Sequence, residues 1–168
     1  MPPPPLQRKQ YQIFIDRNPE AVWAFLTSPQ NHARICPDDM PDELLSGADA
    51  ELTNGSRIVL RVKRGAVALS VQQTVIWEVA EWNPPHGYAL RQVEGPFSLW
   101  INRRKFTAFQ GGTLLADQLE YVVPGGPFGA LAIRPFIGPN MDKYYQHRHN
   151  EAKRLVDRIG RIKGRDAV

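Results

Sequence analysis

An α+β fold, in which a curved antiparallel sheet wraps around one long C-terminal helix and two short helices lie near the N-terminus, is predicted by three features of the 168-residue chain. The middle of the sequence alternates apolar and polar residues with a period of two, and Gly or Pro clusters punctuate it at hairpin spacing. The last fifth switches to a helical period, where Met141, Tyr145, Arg148, Ala152, Leu155, Ile159 and Ile162 form one stripe over about residues 140–162. Such a stripe needs an apolar surface to cover, and the concave face of a sheet is the only one the chain offers.

The elements follow in order. Residues 1–9 read as a flexible, proline-rich lead-in, 10–163 as a single domain and 164–168 as a C-terminal tail. Tyr11, Ile13 and Ile15 alternate with polar neighbours as a first strand. Asn18-Pro19-Glu20 supplies a cap, a proline at the first helical position and an acid in the first turn, so a short helix runs through Trp23 and Leu26 and ends before Pro29. A further helical turn spans Gln30 to Ile35, and residues 37–55 read as irregular. Ile58, Leu60 and Val62 define the next strand. After a turn at Arg64-Gly65, a long strand places Leu69, Val71, Val75, Trp77 and Val79 on one face. Asn83-Pro84-Pro85-His86-Gly87 forces a turn into a strand over Tyr88–Glu94. Two last strands, about 98–110 and 113–123, meet at Gly111-Gly112. The segment Gly125-Gly126-Pro127-Phe128-Gly129 lacks the Lys-Ser/Thr pair of a phosphate loop and reads as a hinge.

With Gly111 and Gly112 as the loop, Gln110 pairs with Thr113, and one face of the hairpin carries Trp100, Asn102, Arg104 and Phe106 with Leu115, Asp117, Leu119 and Tyr121. This aromatic face is the inner one. It nonetheless holds Asn102, Arg104 and Asp117, and Arg148 interrupts the stripe of the last helix. Burying an unpaired charge costs several kcal/mol or more. These groups therefore form either a satisfied internal ion-pair network or the polar end of a ligand cavity. In the second reading the ligand meets Trp100, Asn102, Arg104, Phe106, Asp117, Leu119, Tyr121, Tyr145 and Arg148. Arg104 and Arg148 would hold an oxygen of the ligand, with Asp117 orienting one arginine.

Composition excludes several other classes. The chain carries a net charge of +4, but residues 143–168 hold eight Lys/Arg against three Asp/Glu, a surplus of 5 that leaves −1 elsewhere. The basic residues Lys153, Arg154, Arg158, Arg161, Lys163 and Arg165 read first as a solvated helix face, with weak contact to an anionic membrane surface as the minor reading. No nucleic-acid motif supports a nucleic-acid partner. No apolar run is long enough to span a bilayer and no signal peptide precedes the domain, so a cytoplasmic location is expected. One cysteine, Cys36, excludes an intramolecular disulfide and a cysteine-based zinc site, and no sequence neighbour gives it a His-Asp partner. His32, His86, His147 and His149 read as surface or helix-flank residues, with His147 able to edge into a cavity beside Tyr144. No residue is assigned a catalytic role, and no cofactor or metal is expected.

Gly95-Pro96-Phe97-Ser98-Leu99-Trp100, continuing through Phe106, resembles the START-like superfamily of helix-grip proteins, also labelled SRPBCC or polyketide cyclase/dehydrase. Gly112 to Asp117, Glu120-Tyr121 and Pro124 extend the resemblance, which covers about residues 10–160. Tyr145-Gln146-His147-Arg148-His149 is similar to a Tyr/Phe-x-x-Arg-His segment of one branch. That branch tends to carry histidines where this chain has Asn102 and Arg104, a departure that implies a more positive pocket. The resemblance implies a helix-grip fold around a deep cavity, and a hydrophobic partner such as a lipid, sterol, quinone or polyketide. Some members are cyclases or aromatases, so the resemblance leaves binding, cyclase/dehydratase chemistry and carriage to membranes as separate expectations.

Overall fold

The computed structural model describes residues 5–47, 51–64, 71–123 and 126–165, without the side chains of 64, 71, 126–136 and 161–165. The element order is β1 (Gln7–Ile15), α1 (Pro19–Leu26), α2 (Pro29–Arg34), β2 (Asp42–Ser46), β3 (Arg57–Arg64), β4 (Val71–Asn83), β5 (Gly87–Glu94), β6 (Leu99–Phe109), β7 (Gly112–Val122) and α3 (Gly126–Arg165). The strands form one antiparallel sheet in the order β1-β7-β6-β5-β4-β3-β2, curved and not closed. Register shifts in β4 after Ile76 and after Val79 are of the kind that bends a strand and increases its twist.

Asn18 caps α1 as expected, its side chain accepting from the Ala21 amide, with Pro19 opening the helix. The first strand begins at Gln7, earlier than Tyr11, because Gln7, Arg8 and Lys9 find partners at Tyr121, Glu120 and Leu119 of β7. β2 is an addition: within the polar stretch 37–55, Asp42, Glu43 and Leu44 pair with Val62, Arg61 and Leu60. The expected turn at Arg64-Gly65, the expected strand position Leu69 and Gly125 of the expected hinge lie outside the described residues. Gly126 to Gly129 belong to α3, which starts well before residue 140. Ile159, placed on the buried stripe, is exposed, whereas His149 and Val156 are buried. No helix among the described residues is long and apolar enough to cross a membrane.

The β6–β7 hairpin corrects the expected register by two residues. Phe109 pairs with Gly112, so Gln110 and Gly111 form the loop, both at positive φ. Gly112 is needed elsewhere: a Cβ there would lie 2.5 Å from the Ile15 carbonyl oxygen and 2.6 Å from the Phe14 ring, so its place in β7 lets the end of β1 approach. A two-residue shift keeps every side chain on its expected face. It does, however, put Arg104 directly opposite Asp117 instead of diagonal to it.

The helix α3 crosses the concave face over β1, β7 and part of β6. Ala152, Leu155 and Val156 pack with Ile15, Val22, Phe25, Phe106 and Leu115. Met141 and Tyr145 pack with Trp100, Leu119, Tyr121 and Val123. A third cluster, Leu52, Ile58, Leu60, Val62 and Val75, lies on the β3–β4 side.

Candidate functional site

Beside α3, a cavity of about 130 Å³ opens over β3, β4 and β5. Cavities of about 150 Å³ hold one benzene ring. The inward positions of a period-two pattern build its apolar wall: Ile58, Leu60 and Val62 from β3, Val75 and Trp77 from β4, and Leu90 from β5. Phe97, Trp100 and Tyr145 complete it. Trp77 meets Trp100 edge-on with centroids 5.8 Å apart, Phe97 lies 4.5 Å from Trp100, and Tyr145 stacks on Tyr11 at 4.7 Å. Gln73 and Gln92 add polar positions to this wall, and the charged groups belong to two adjoining clusters.

The first cluster centres on Asp117, which is fully buried. Arg104 reaches it with a two-pronged contact, Nε donating to Oδ1 at 2.8 Å and Nη2 to Oδ2 at 2.9 Å. Asn102 Nδ2 donates to Oδ1 at 2.8 Å, and His149 Nε2 lies 2.6 Å from Oδ2. Four contacts saturate the carboxylate. Burial alone would raise its pKa, but the Arg104 charge and the His149 hydrogen bond outweigh burial and hold it well below the usual carboxylate range. Arg104 Nη1 donates to the Tyr88 hydroxyl at 3.0 Å, and despite burial the guanidinium stays firmly charged. Asn102 Oδ1 is buried and accepts from no described residue.

The second cluster centres on Asp42 Oδ2. His32 Nε2 lies 2.8 Å from it, Cys36 Sγ donates at 3.4 Å, and the Tyr144 hydroxyl donates through a short contact. Arg148 lies 4.0 Å from the same oxygen; its Nη1 donates to Cys36 Sγ at 3.0 Å and to the Tyr144 hydroxyl at 3.1 Å, and its Nη2 lies 3.2 Å from His32 Nδ1. The donor atoms of His32, Cys36 and Asp42 lie within 4.8 Å of one another, a set able to hold a metal ion. Here the Arg148 guanidinium is the cation among them, so a metal ion would have to displace it. Burial pushes the Cys36 thiol up, which makes it a poor thiolate ligand or nucleophile.

Burial and the Arg148 charge push the His32 pKa down to about 4, against the pull of Asp42. Unfolded His32 takes up its proton near pH 6.5, before the native state does. Stability is therefore expected to be highest above about pH 6.5 and to fall as the pH drops toward 4, with a slope of up to about 1.4 kcal/mol per pH unit from this group. Urea melts at stepped pH check this: His32→Gln should flatten that window, and an unchanged slope would mean that His32 titrates normally.

Of the nine expected ligand contacts, Trp100, Asn102, Arg104, Tyr145 and Arg148 line the cavity, and Phe106, Asp117, Leu119 and Tyr121 do not. All nine face the concave side, but α3 and α1 cover the part of that face formed by β7 and the end of β6, which displaces the cavity toward β3–β5. Phe106 packs under α1, its ring 5.3 Å from Trp23. Leu119 and Tyr121 pack under Met141 and Tyr145, and Asp117 lies behind Arg104. His32, Asp42 and Tyr88 line the cavity without having been expected there, and Tyr144, beside which the cavity was expected, forms part of its wall. His32 and His149, read as surface or flank residues, belong instead to the two buried clusters; His147 is absent from the cavity wall. Cys36 has both a histidine and an aspartate beside it. Spacing carried part of this information, since Tyr144 and Arg148 are four residues apart on one face of α3. Nothing in the irregular stretch 37–55 singled out Asp42.

A family model described as polyketide cyclase / dehydrase and lipid transport matches residues 7–156. Among solved structures, the Zhui aromatase/cyclase from Streptomyces sp. R1128 is similar at 14% identity, with a TM-score of 0.69 and 92% of this chain and 95% of that one covered. A protein from Thermus thermophilus is similar at 17% identity, with a TM-score of 0.67 and coverage of 89% and 97%. The di-domain aromatase/cyclase StfQ of the steffimycin biosynthetic pathway is similar at 11% identity, with a TM-score of 0.69 and coverage of 92% and 52%. At these identities the likeness shows the helix-grip fold. No curated protein matches the sequence.

Proposed function

The chain belongs to the polyketide cyclase / dehydrase and lipid transport family, and from that premise we propose that it binds a hydrophobic small molecule without transforming it. The observation that carries this reading is the cavity wall itself. Aliphatic and aromatic side chains line most of it, and the charged groups converge at Arg104, Arg148 and their partners. Burial of an apolar body supplies the affinity at roughly 25 cal/mol per Å², and the guanidinium groups orient an oxygen. Asp117 does not favour turnover as a proton carrier, being saturated and held ionised, and Tyr121 and His147 do not line the cavity.

Native mass spectrometry of the purified chain, followed by denaturing extraction, tests the proposal. One apolar adduct per chain is the expected result. Absence of an adduct, together with no uptake of an apolar fluorescent probe, would overturn it.

A second reading, a cyclase, aromatase or dehydratase, is favoured by one observation. The Tyr144 hydroxyl stands on the cavity wall between Asp42, which accepts from it, and Arg148, which donates to it. Turnover of a poly-β-ketone thioester that Tyr144→Phe abolishes would establish this reading in place of the first. Carriage to an anionic membrane gains less support, because Lys153 donates to the Phe14 carbonyl and Arg154 pairs with Glu151. Co-sedimentation with anionic vesicles would reveal it.

A further inference from the structure

On the cavity side the core does not close into one body. The cluster around Trp100, Met141 and Tyr145 and the cluster around Leu60, Val62 and Val75 share no buried member, and the cavity takes its apolar wall from both. Among the described residues, Trp77 alone packs against both clusters. Its place is fixed from three sides: it pairs with Ile58 in β3 and with Gln92 in β5, and its ring meets Trp100 edge-on at 5.8 Å. The pairing with Gln92 follows the register shift after Ile76, and a bulge of this kind re-aims a side chain. Trp100 is buried under α3, whereas Trp77 is half-buried and lines the cavity, so its ring bounds the hollow without being locked into either cluster.

The space left, about 130 Å³, suits about one six-membered ring. Where there is room, a larger apolar ligand binds more tightly, because it removes more surface from water. Where there is not, it must push close-packed side chains off their rotamers, and the gain is lost.

We propose that Trp77 determines specificity by setting the upper size of the ligand, so that the site selects a molecule with one six-membered ring and rejects fused-ring systems. This rests on the binding reading above and narrows it to a ligand class. Probes that carry the same hydroxyl meet the polar wall, Gln73 and Gln92 included, with the same group, so ring size separates them.

Titration calorimetry at pH 7 with para-cresol, β-naphthol and phenanthrol tests the assignment. In the wild type, para-cresol should bind about tenfold more tightly than either fused-ring phenol, the reverse of their order of apolar area. In Trp77→Ala the order should invert, with β-naphthol gaining about tenfold over its wild-type affinity and para-cresol weakening. Trp77→Phe keeps a ring between the clusters should alanine loosen the sheet, and it should give an intermediate order; the wild-type ranking needs no variant at all. β-Naphthol or phenanthrol binding the wild type as tightly as para-cresol, or folded variants that keep the wild-type order, would overturn the role of Trp77 and leave the binding reading standing. Failure of all three probes, each taken to its solubility limit, in the wild type and both variants would overturn both.

Discussion

Asp117→Asn should lower the stability of the domain by about 3–5 kcal/mol, a large share of the roughly 5–15 kcal/mol typical of a folded domain. The carboxylate is the common acceptor for Arg104, Asn102 and His149, and it is fully buried. An amide in its place turns an NH₂ group toward at least one of those donors and leaves the Arg104 charge buried without its counterion. The loss should also reshape acid unfolding. Unfolded Asp117 binds a proton near pH 3.9 and the native carboxylate only at lower pH, so its contribution is complete above about pH 4 and disappears as the pH falls further. The variant should lack that part of the acid limb. Urea denaturation followed by tryptophan fluorescence at pH 7 and pH 3 measures both effects. A loss below about 1 kcal/mol at pH 7 would mean that Arg104 finds another acceptor.

Arg148→Met should abolish retention of the co-purifying ligand, with at least a hundredfold loss of affinity, and lower stability by about 2–3 kcal/mol. Methionine fills much of the volume but removes the donors that meet Cys36, Tyr144 and His32, and it leaves Asp42 without its guanidinium. Arg148→Lys separates the two effects. It keeps a charge near Asp42 but not the planar fork, so stability should recover more than ligand retention does. Occupancy by native mass spectrometry beside a urea melt reads them independently. Unchanged affinity in Arg148→Met would place the residue outside the binding site.

The legible parts of the fold were those written in periodicity and turn chemistry. Asn18-Pro19 located α1, and Asn83 to Gly87 located the β4–β5 turn. The stripe of α3 was readable from Met141 to Leu155 and failed at Ile159, which is exposed. The hairpin register was misread because two adjacent glycines look like a loop, whereas one of them serves a close approach to β1 that only tertiary structure reveals. The shift of two residues cost nothing in face assignment, so Asn102 and Arg104 keep their expected place on the concave face. The path of α3 across the sheet was not readable, and it decides which concave residues are covered and which line the cavity. Asp42 was invisible for a related reason: β2 is short, edge-lying and paired only through β3, so neither composition nor period marks it.

The polar contacts of Arg148 and Tyr144 join positions 102 to 116 residues apart, reaching from the final helix back to the α2–β2 region. Such contacts form only when nearly the whole chain has closed, because long loops must be ordered before they are rewarded. No fragment ending before residue 144 can assemble this end of the site. Occupancy is therefore a report on complete folding, and a ligand present at a hundred times its dissociation constant would, by mass action, add about 2.7 kcal/mol to the work of global unfolding.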